Sequence, residues 1–273
     1  MRIAVLGPGG VGGLLAAVLP DALVVSRSPL TEIQLRSRLL GDRTTLVRSV
    51  QTLTEPVDVL FIATKATGLD DAVDRIAAPP GVVVPLLNGF EHVAWLRERF
   101  DDVVAATIRV EATRVAPAVI EHTSPFLRIE LSARQDVADL LNAAGIPAFV
   151  VEDEAQVMWS KLVRLNAIAL TTTAYRAPIG EVRDRHGDDL LGVIRETAAV
   201  ASAEGASVAV EAVRTELADA HPELLSSMAR DRFADRPLEL DAIGGAVLRA
   251  GARHGIETPT VRRLVDAIGS ELP

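Results

Sequence analysis

Met1-Arg2-Ile3-Ala4-Val5-Leu6-Gly7-Pro8-Gly9-Gly10-Val11-Gly12-Gly13 is the stretch from which the fold can be read. Arg2–Leu6 is an apolar run of strand length, and Val11–Leu19 has the small apolar residues of a packed helix. Between them Gly7, Gly9 and Gly12 complete G-x-G-x-x-G, with Pro8, Gly10 and Val11 at the intervening positions. Placement gives the pattern its meaning. The first glycine allows a tight turn, the second lets the backbone approach a pyrophosphate, and the third lets helix and strand pack closely. The helix N-terminus then turns free N–H groups toward the phosphates. Gly7, Pro8, Gly9, Gly10, Val11 and Gly12 are therefore expected to bind a dinucleotide.

Outward from this loop the first half alternates between strands and helices. Leu23–Ser26, Asp58–Thr64 and Val82–Leu87 are apolar runs of strand length, while Asp70–Ala77 and Glu91–Phe100 carry helical spacing. This rhythm predicts an α/β fold with a Rossmann-type, mainly parallel sheet and helices on both faces. Val103–Leu131 is β-rich with a hairpin turning near Pro117, Val137–Ala144 reads as a helix and Pro147–Val151 as a closing strand. After Glu152 strand signals vanish. Helical segments are expected over 154–175, 188–204, 208–219 and 239–254, punctuated by Gly205, Pro222, Pro237, Gly255 and Pro259. Two domains follow: a nucleotide-binding one over 1–152 and an all-helical substrate and catalytic one over 153–273. The active site is expected in a cleft between them.

Composition narrows the function. Apolar residues at 49% and charged residues at 24% of 273 suit a globular chain with a sizeable core and exclude a disordered or fibrous one. The absence of cysteine excludes disulfides, thiolate metal sites and a cysteine nucleophile, and no metal is expected. A net charge of −9 with scattered basic residues gives no footprint for nucleic acid. No apolar run approaches the roughly 18 residues of a membrane span, and the first residues lack the features of a secretory leader. A cytoplasmic protein acting on a small molecule is the expectation, with a homodimer as a compatible assembly.

Twenty-six residues are arginine and only two, Lys65 and Lys161, are lysine. Arginine serves as a surface cation but cannot give up its proton near neutral pH, so lysines retained in such a background suggest lysine-specific chemistry. The second strand runs into Ser26-Arg27-Ser28 with no acid at its tip. An NAD site usually has Asp or Glu there for the ribose hydroxyl. Arg27 suits a 2′-phosphate instead, which predicts NADP(H). Lys65 follows the third apolar run and Asn88-Gly89 the fourth, at strand ends where ligands collect in open α/β sheets.

Taken together, several short segments resemble the ketopantoate reductase (2-dehydropantoate 2-reductase) family. They are Gly7–Gly12, Thr64-Lys65-Ala66, Leu87-Asn88-Gly89, Trp159-Ser160-Lys161-Leu162, Pro178-Ile179-Gly180-Glu181, Ser226-Ser227-Met228, Asp231, Glu239-Leu240-Asp241 and His254-Gly255-Ile256. The resemblance spans Met1 to about Pro259. It implies NADPH-dependent reduction of a 2-oxo acid to a 2-hydroxy acid, with 2-dehydropantoate to (R)-pantoate, in pantothenate biosynthesis, as the leading reaction. It further implies Lys161 as general acid and Glu239 as the carboxylate near nicotinamide and substrate. Ser227 is implied in substrate binding and Asn88 in contact with both ligands, while Lys65 is expected to reach the cofactor from its place at a strand tip. The chemistry is consistent with those residue types, because hydride attack on a ketone builds negative charge that an ammonium stabilises and then protonates.

The pattern departs from the family at three positions. Where members usually carry asparagines four and eight residues after the lysine, this chain has Leu165 and Ala169, and a third family asparagine is Ile179. Asn166 lies about 140° around an ideal helix from Lys161 and replaces neither. Lost amides weaken recognition of a hydroxylated substrate. A more apolar carbonyl substrate is therefore a second expectation, and an NADP(H)-binding sensor without turnover a third. Retention of Lys161 and Glu239 favours an enzyme.

Overall fold

In the computed structural model, which describes residues 1–271, the chain forms two units. One contains Met1–Leu87 and His92–Val157, and the other contains Asn88–Glu91 and the chain from Met158 onward.

The first unit opens with β1 (Ile3–Leu6), α1 (Gly10–Val18) and β2 (Leu23–Val25), followed by β3 (Glu32–Ser37), β4 (Arg43–Leu46) and β5 (Arg48–Val50). Next come β6 (Val59–Ile62), α2 (Leu69–Val73), β7 (Val82–Pro85) and α3 (Glu91–Arg97), whose first residue belongs to the other unit. Then follow β8 (Ala106–Arg109), β9 (Ala112–Ala116), β10 (Val119–His122), β11 (Arg128–Leu131), α4 (Gln135–Ala143) and β12 (Ala148–Val150). Five strands form a parallel sheet in the order β5-β2-β1-β6-β7. Every residue of β1, β2, β6 and β7 is buried, as their unbroken apolar runs require when both faces of a parallel sheet are covered. The direction of winding reverses at β1, so the chain ends leaving β1 and β6 flank the crevice where such sheets bind ligands.

Residues 32–50, unassigned from sequence, contribute two strands to a second sheet and the edge strand β5 to the first. The second sheet has the order β4-β3-β10-β9, with β9 and β10 forming the hairpin expected at Pro117. It covers α1 closely. A Cβ on Gly13 would lie 2.5 Å from Ile120 Cδ1, and Thr45 Oγ1 donates to the Ala17 carbonyl at 2.8 Å. The parallel sheet is thus flanked on this side by a helix and a further sheet, a richer arrangement than helices alone. A third sheet, β12-β11-β8, completes the unit.

The second unit is helical: α5 (Glu154–Ala174), whose first turn up to Val157 belongs to the other unit, α6 (Ile179–Arg185), α7 (Gly187–Ala203), α8 (Val210–Ala218), α9 (Ser227–Phe233), α10 (Ala246–Arg253) and α11 (Pro259–Ser270). From Asn166 to Thr173 every residue of α5 is buried, so this helix is the core of the unit, enclosed on all sides. Two of its three buried threonines are accommodated by their own backbone, Thr171 and Thr172 each donating to the carbonyl four residues earlier at 2.6 Å. Glu196 of α7 accepts from the Thr260 and Val261 amides at 2.9 Å, satisfying two open donors at the start of α11. The segment expected as one helix over 239–254 instead opens with a π-helical turn, Asp241–Gly245, before α10.

Candidate active site

The glycine loop takes the geometry its spacing implies. Gly7 has φ +88°, and a Cβ there would also strike Thr64 Cγ2 at 2.6 Å. A Cβ on Gly12 would lie 2.2 Å from the Gly7 carbonyl oxygen, and one on Gly10 would lie 2.0 Å from that of Ala112. Those three glycines are demanded by packing and backbone shape. Gly9 is different. A Cβ there would meet nothing within 4 Å beyond its own chain neighbours. Gly9 also caps α1 without a side-chain bond, and the first turn carries no acid, so the helix presents its amides and partial positive charge unopposed. The Thr64 hydroxyl beside this turn is buried without a hydrogen-bond partner. Loop, helix end and open space beside Gly9 fit the phosphates of a dinucleotide.

Arg27 lies exposed just past β2, where Gln51 Nε2 donates to its carbonyl at 3.1 Å. Of the two flanking hydroxyls, Ser26 gives its proton to the Ser28 carbonyl at 2.6 Å, which leaves Ser28 as the hydroxyl suited to a ligand. Lys65 is exposed at the loop after β6, where a 3₁₀ turn over Ala66–Gly68 begins.

In the second unit three expected residues meet. Lys161 Nζ donates to Asn88 Oδ1 at 2.9 Å, and Asn88 Nδ2 donates to Glu239 Oε2 at 3.0 Å. The Asn88 amide therefore links the two ionisable groups, offering its oxygen to the ammonium and its nitrogen to the carboxylate. Glu239 is 6% exposed, and such a carboxylate requires hydrogen-bond partners. It sits where the next helix begins, yet its carboxylate reaches Asn88, so it does more than cap the helix.

Each member is held by its local backbone. Lys161 rides on α5 two residues after Trp159, which is 2% exposed and lies 4.9 Å from the Phe90 ring. Gly89, at φ +81°, allows the turn after Asn88 to rest on the π turn, where an added Cβ would stand 2.2 Å from the Ala242 carbonyl oxygen. The π geometry follows directly after Glu239 and Leu240, a place where such turns often serve function.

The remaining expected positions are placed less centrally. Ser227 is exposed in the first turn of α9 and is not part of the Lys161–Asn88–Glu239 chain of bonds. Its neighbour Ser226 caps that helix, accepting from the Ala229 amide at 2.9 Å, and pairs with Thr172. Ala169 and Ile179 are wholly buried, so of the three departures from the family pattern only half-buried Leu165 has surface for a substrate. Arg164 pairs with Glu216 of α8 at 2.5 Å, a structural tie. A hollow beside α6 is lined by Pro178, Gly180, Pro222 and the carboxylates of Glu181, Asp184 and Glu223, with Arg185 already paired to Glu181. Its acidity is unsuited to an anionic substrate. Sequence patterns gave no sign of the Glu91–Arg249–Asp241 ion pairs that flank the three residues.

Comparison with known proteins shows the family and the fold. Residues 3–135 match the family described as Ketopantoate reductase PanE/ApbA, and residues 153–270 match Ketopantoate reductase PanE/ApbA C terminal. The 2-dehydropantoate 2-reductase of Caulobacter vibrioides is 32% identical over 275 residues, covering 94% of each chain. The crystal structure of 2-dehydropantoate 2-reductase from Methylococcus capsulatus superposes with a TM-score of 0.90 at 24% identity, covering 99% of this chain and 96% of that one. A D-mandelate dehydrogenase solved with NADH and anilino(oxo)acetate shares the fold at a TM-score of 0.87 and 19% identity, covering 99% of this chain and 97% of that one.

Proposed function

The chain belongs to the ketopantoate reductase family, and on that premise we propose that it reduces 2-dehydropantoate to (R)-pantoate with NADPH. It is an oxidoreductase acting on a CH–OH group. The observation that carries the proposal is the Lys161–Asn88–Glu239 chain of hydrogen bonds. NADPH supplies the hydride when bound. The open face at Gly9 and the amides of α1 would receive its pyrophosphate, and Arg27 with Ser28 its 2′-phosphate.

The protein's own contribution is electrostatic and protonic. Charge that develops on the substrate oxygen is stabilised by the Lys161 ammonium, which then transfers a proton from Nζ to that oxygen. An ammonium has three donors, and donation of one to Asn88 aims the others. Glu239, through the Asn88 amide, orients the pair with its negative charge.

Half-buried Leu165, one turn beyond Lys161, favours a second reading in which the substrate presents an apolar group instead of a hydroxyl at that point. NADPH oxidation followed at saturating cofactor across a panel of 2-oxo acids tests both. Fastest turnover on 2-dehydropantoate supports the first reading and a preference for apolar side chains the second. Binding of NADPH with no turnover on any member would overturn both in favour of a sensor.

A further inference from the structure

We propose that Arg249 is a positioning residue that fastens together the two backbone segments carrying Asn88 and Glu239. The inference rests on the roles assigned above to Lys161, Asn88 and Glu239. Glu91 lies three residues after Asn88, and Asp241 two residues after Glu239. Arg249 holds both. Its Nη2 donates to Glu91 Oε2 at 2.6 Å and its Nε to Glu91 Oε1 at 3.0 Å. Its Nη1 donates to Asp241 Oδ1 at 2.6 Å, and Nη2 also reaches the Asp241 backbone carbonyl at 3.2 Å. The planar fork of a guanidinium is suited to gripping two carboxylates at fixed directions, which a lysine cannot reproduce. Glu91 foremost, then Asp241, raises the Arg249 pKa above the ordinary arginine value, so the group stays charged throughout the working range.

The need for a fastener is visible in the turn itself. The Asn88–Glu91 segment belongs to the helical unit although the chain on either side of it belongs to the other. Gly89 brings it against the Ala242 carbonyl of the π turn, a close approach between two backbones that supplies no directional bond of its own. Arg249 lies on α10, one to two turns past the π turn, and reaches the far ends of both segments. Arg253, one turn further on, lies 4.0 Å from Glu91 and 3.0 Å from Glu204, so it assists Glu91 more weakly. With Arg249 in place, the Asn88 amide has one orientation in which its oxygen meets Lys161 and its nitrogen meets Glu239. Without it the turn keeps its contacts but loses the tie that sets their register.

The chain contains three asparagines, Asn88, Asn142 and Asn166, so ¹⁵N-asparagine labelling yields three side-chain amide pairs, with Asn88 assigned from the spectrum of Asn88→Ser. In the wild-type protein the Asn88 pair should be dispersed and slow to exchange. In Arg249→Gln it should move toward the random-coil position and exchange at least tenfold faster, while the Asn142 and Asn166 pairs stay in place. Turnover should fall by about 10- to 100-fold, the scale of an ångström-sized misplacement, with the apparent affinity for NADPH changed less than twofold. Arg249→Lys should recover only a small part of the turnover. If Arg249→Gln does not fold, Glu91→Gln and Asp241→Asn each remove one arm of the tie and should give the same amide signature.

An unmoved Asn88 pair in the folded variants, or turnover retained in full, overturns the positioning role. A wild-type protein inactive on every 2-oxo acid overturns the reductase reading instead, and the amide spectra then still decide whether Arg249 orders Asn88.

Discussion

Gly9→Ala separates the glycine required by a ligand from those required by the protein. Gly9 has φ −77° and ψ −154°, an extended conformation open to alanine, and the added methyl would meet nothing within 4 Å beyond its own chain neighbours. Two small terms act on stability and oppose each other. Alanine restricts the unfolded chain, a gain of about 0.4–1 kcal/mol, but it is a poorer helix cap than glycine by roughly the same amount. The net change should lie within about 0.5 kcal/mol, or a degree or two in melting temperature for a chain of this size. The same methyl would project into the space proposed for the pyrophosphate, so NADPH affinity should fall at least tenfold, about 1.4 kcal/mol. Gly12→Ala should do the reverse in kind. Its methyl would stand 2.2 Å from the Gly7 carbonyl oxygen, a backbone atom that cannot rotate away, and overpacking of this sort costs about 1–3 kcal/mol. Thermal unfolding without ligand and titration of NADPH by nicotinamide fluorescence measure the two effects separately. Wild-type affinity in Gly9→Ala would refute the placement of phosphates at this glycine.

Lys161→Arg keeps the positive charge but removes a group that can act as an acid, so turnover should drop by roughly 10²-fold with NADPH binding little altered; near wild-type turnover would reduce the lysine to a fixed charge. Arg27→Ala should weaken NADPH and leave NADH binding unchanged, and equal losses for the two cofactors would remove Arg27 from the 2′-phosphate. Leu165→Asn should raise kcat/KM for hydroxylated 2-oxo acids relative to apolar ones; an unchanged ratio would place Leu165 outside the substrate site. Asp136 receives two hydrogen bonds from Arg134, chiefly responsible for holding its pKa below the ordinary 3.8. A carboxylate lowered in the folded state contributes stability that is present above that value and lost as pH falls through the lowered one. Unfolding midpoints of Asp136→Asn across the acid range should therefore decline less steeply below about pH 4 than those of the wild type.

Legibility followed the distance over which each feature is determined. The glycine loop was readable because turn, helix start and packing all arise within a few consecutive residues. The parallel strands were readable because burial on both faces leaves apolar runs. Strand β3 carried a signal too, since Ile33, Leu35 and Ser37 alternate inward, but its polar intervening residues gave no long apolar run and its partner β10 comes much later in the chain. The meeting of Asn88 with Glu239 spans 151 residues, so spacing alone could not supply it; likeness to a family implied only that each lies near the ligands, not that they bond to each other. Nothing marked Arg249 among 26 arginines, because its partner Glu91 lies 158 residues away. The π turn likewise depends on tertiary packing, with glycines at 244 and 245 the only local hint.

The excursion of Asn88–Glu91 into the helical unit also sets an order of events during synthesis. When these four residues leave the ribosome, the unit they belong to does not yet exist, and Glu239 will follow 151 residues later. At about 5–20 residues per second that is a wait of roughly 8–30 seconds. Lys161 and Trp159, the partners of Asn88 and Phe90, are made about halfway through it, and Glu239 and Ala242 only at its end, while β1, β2, β6 and β7 are already available to pair. The scaffold for the nucleotide can thus assemble early, and the proposed catalytic residues come together only after the second half of the chain has been made. The proposed nucleotide site is thus complete in sequence well before the proposed catalytic one.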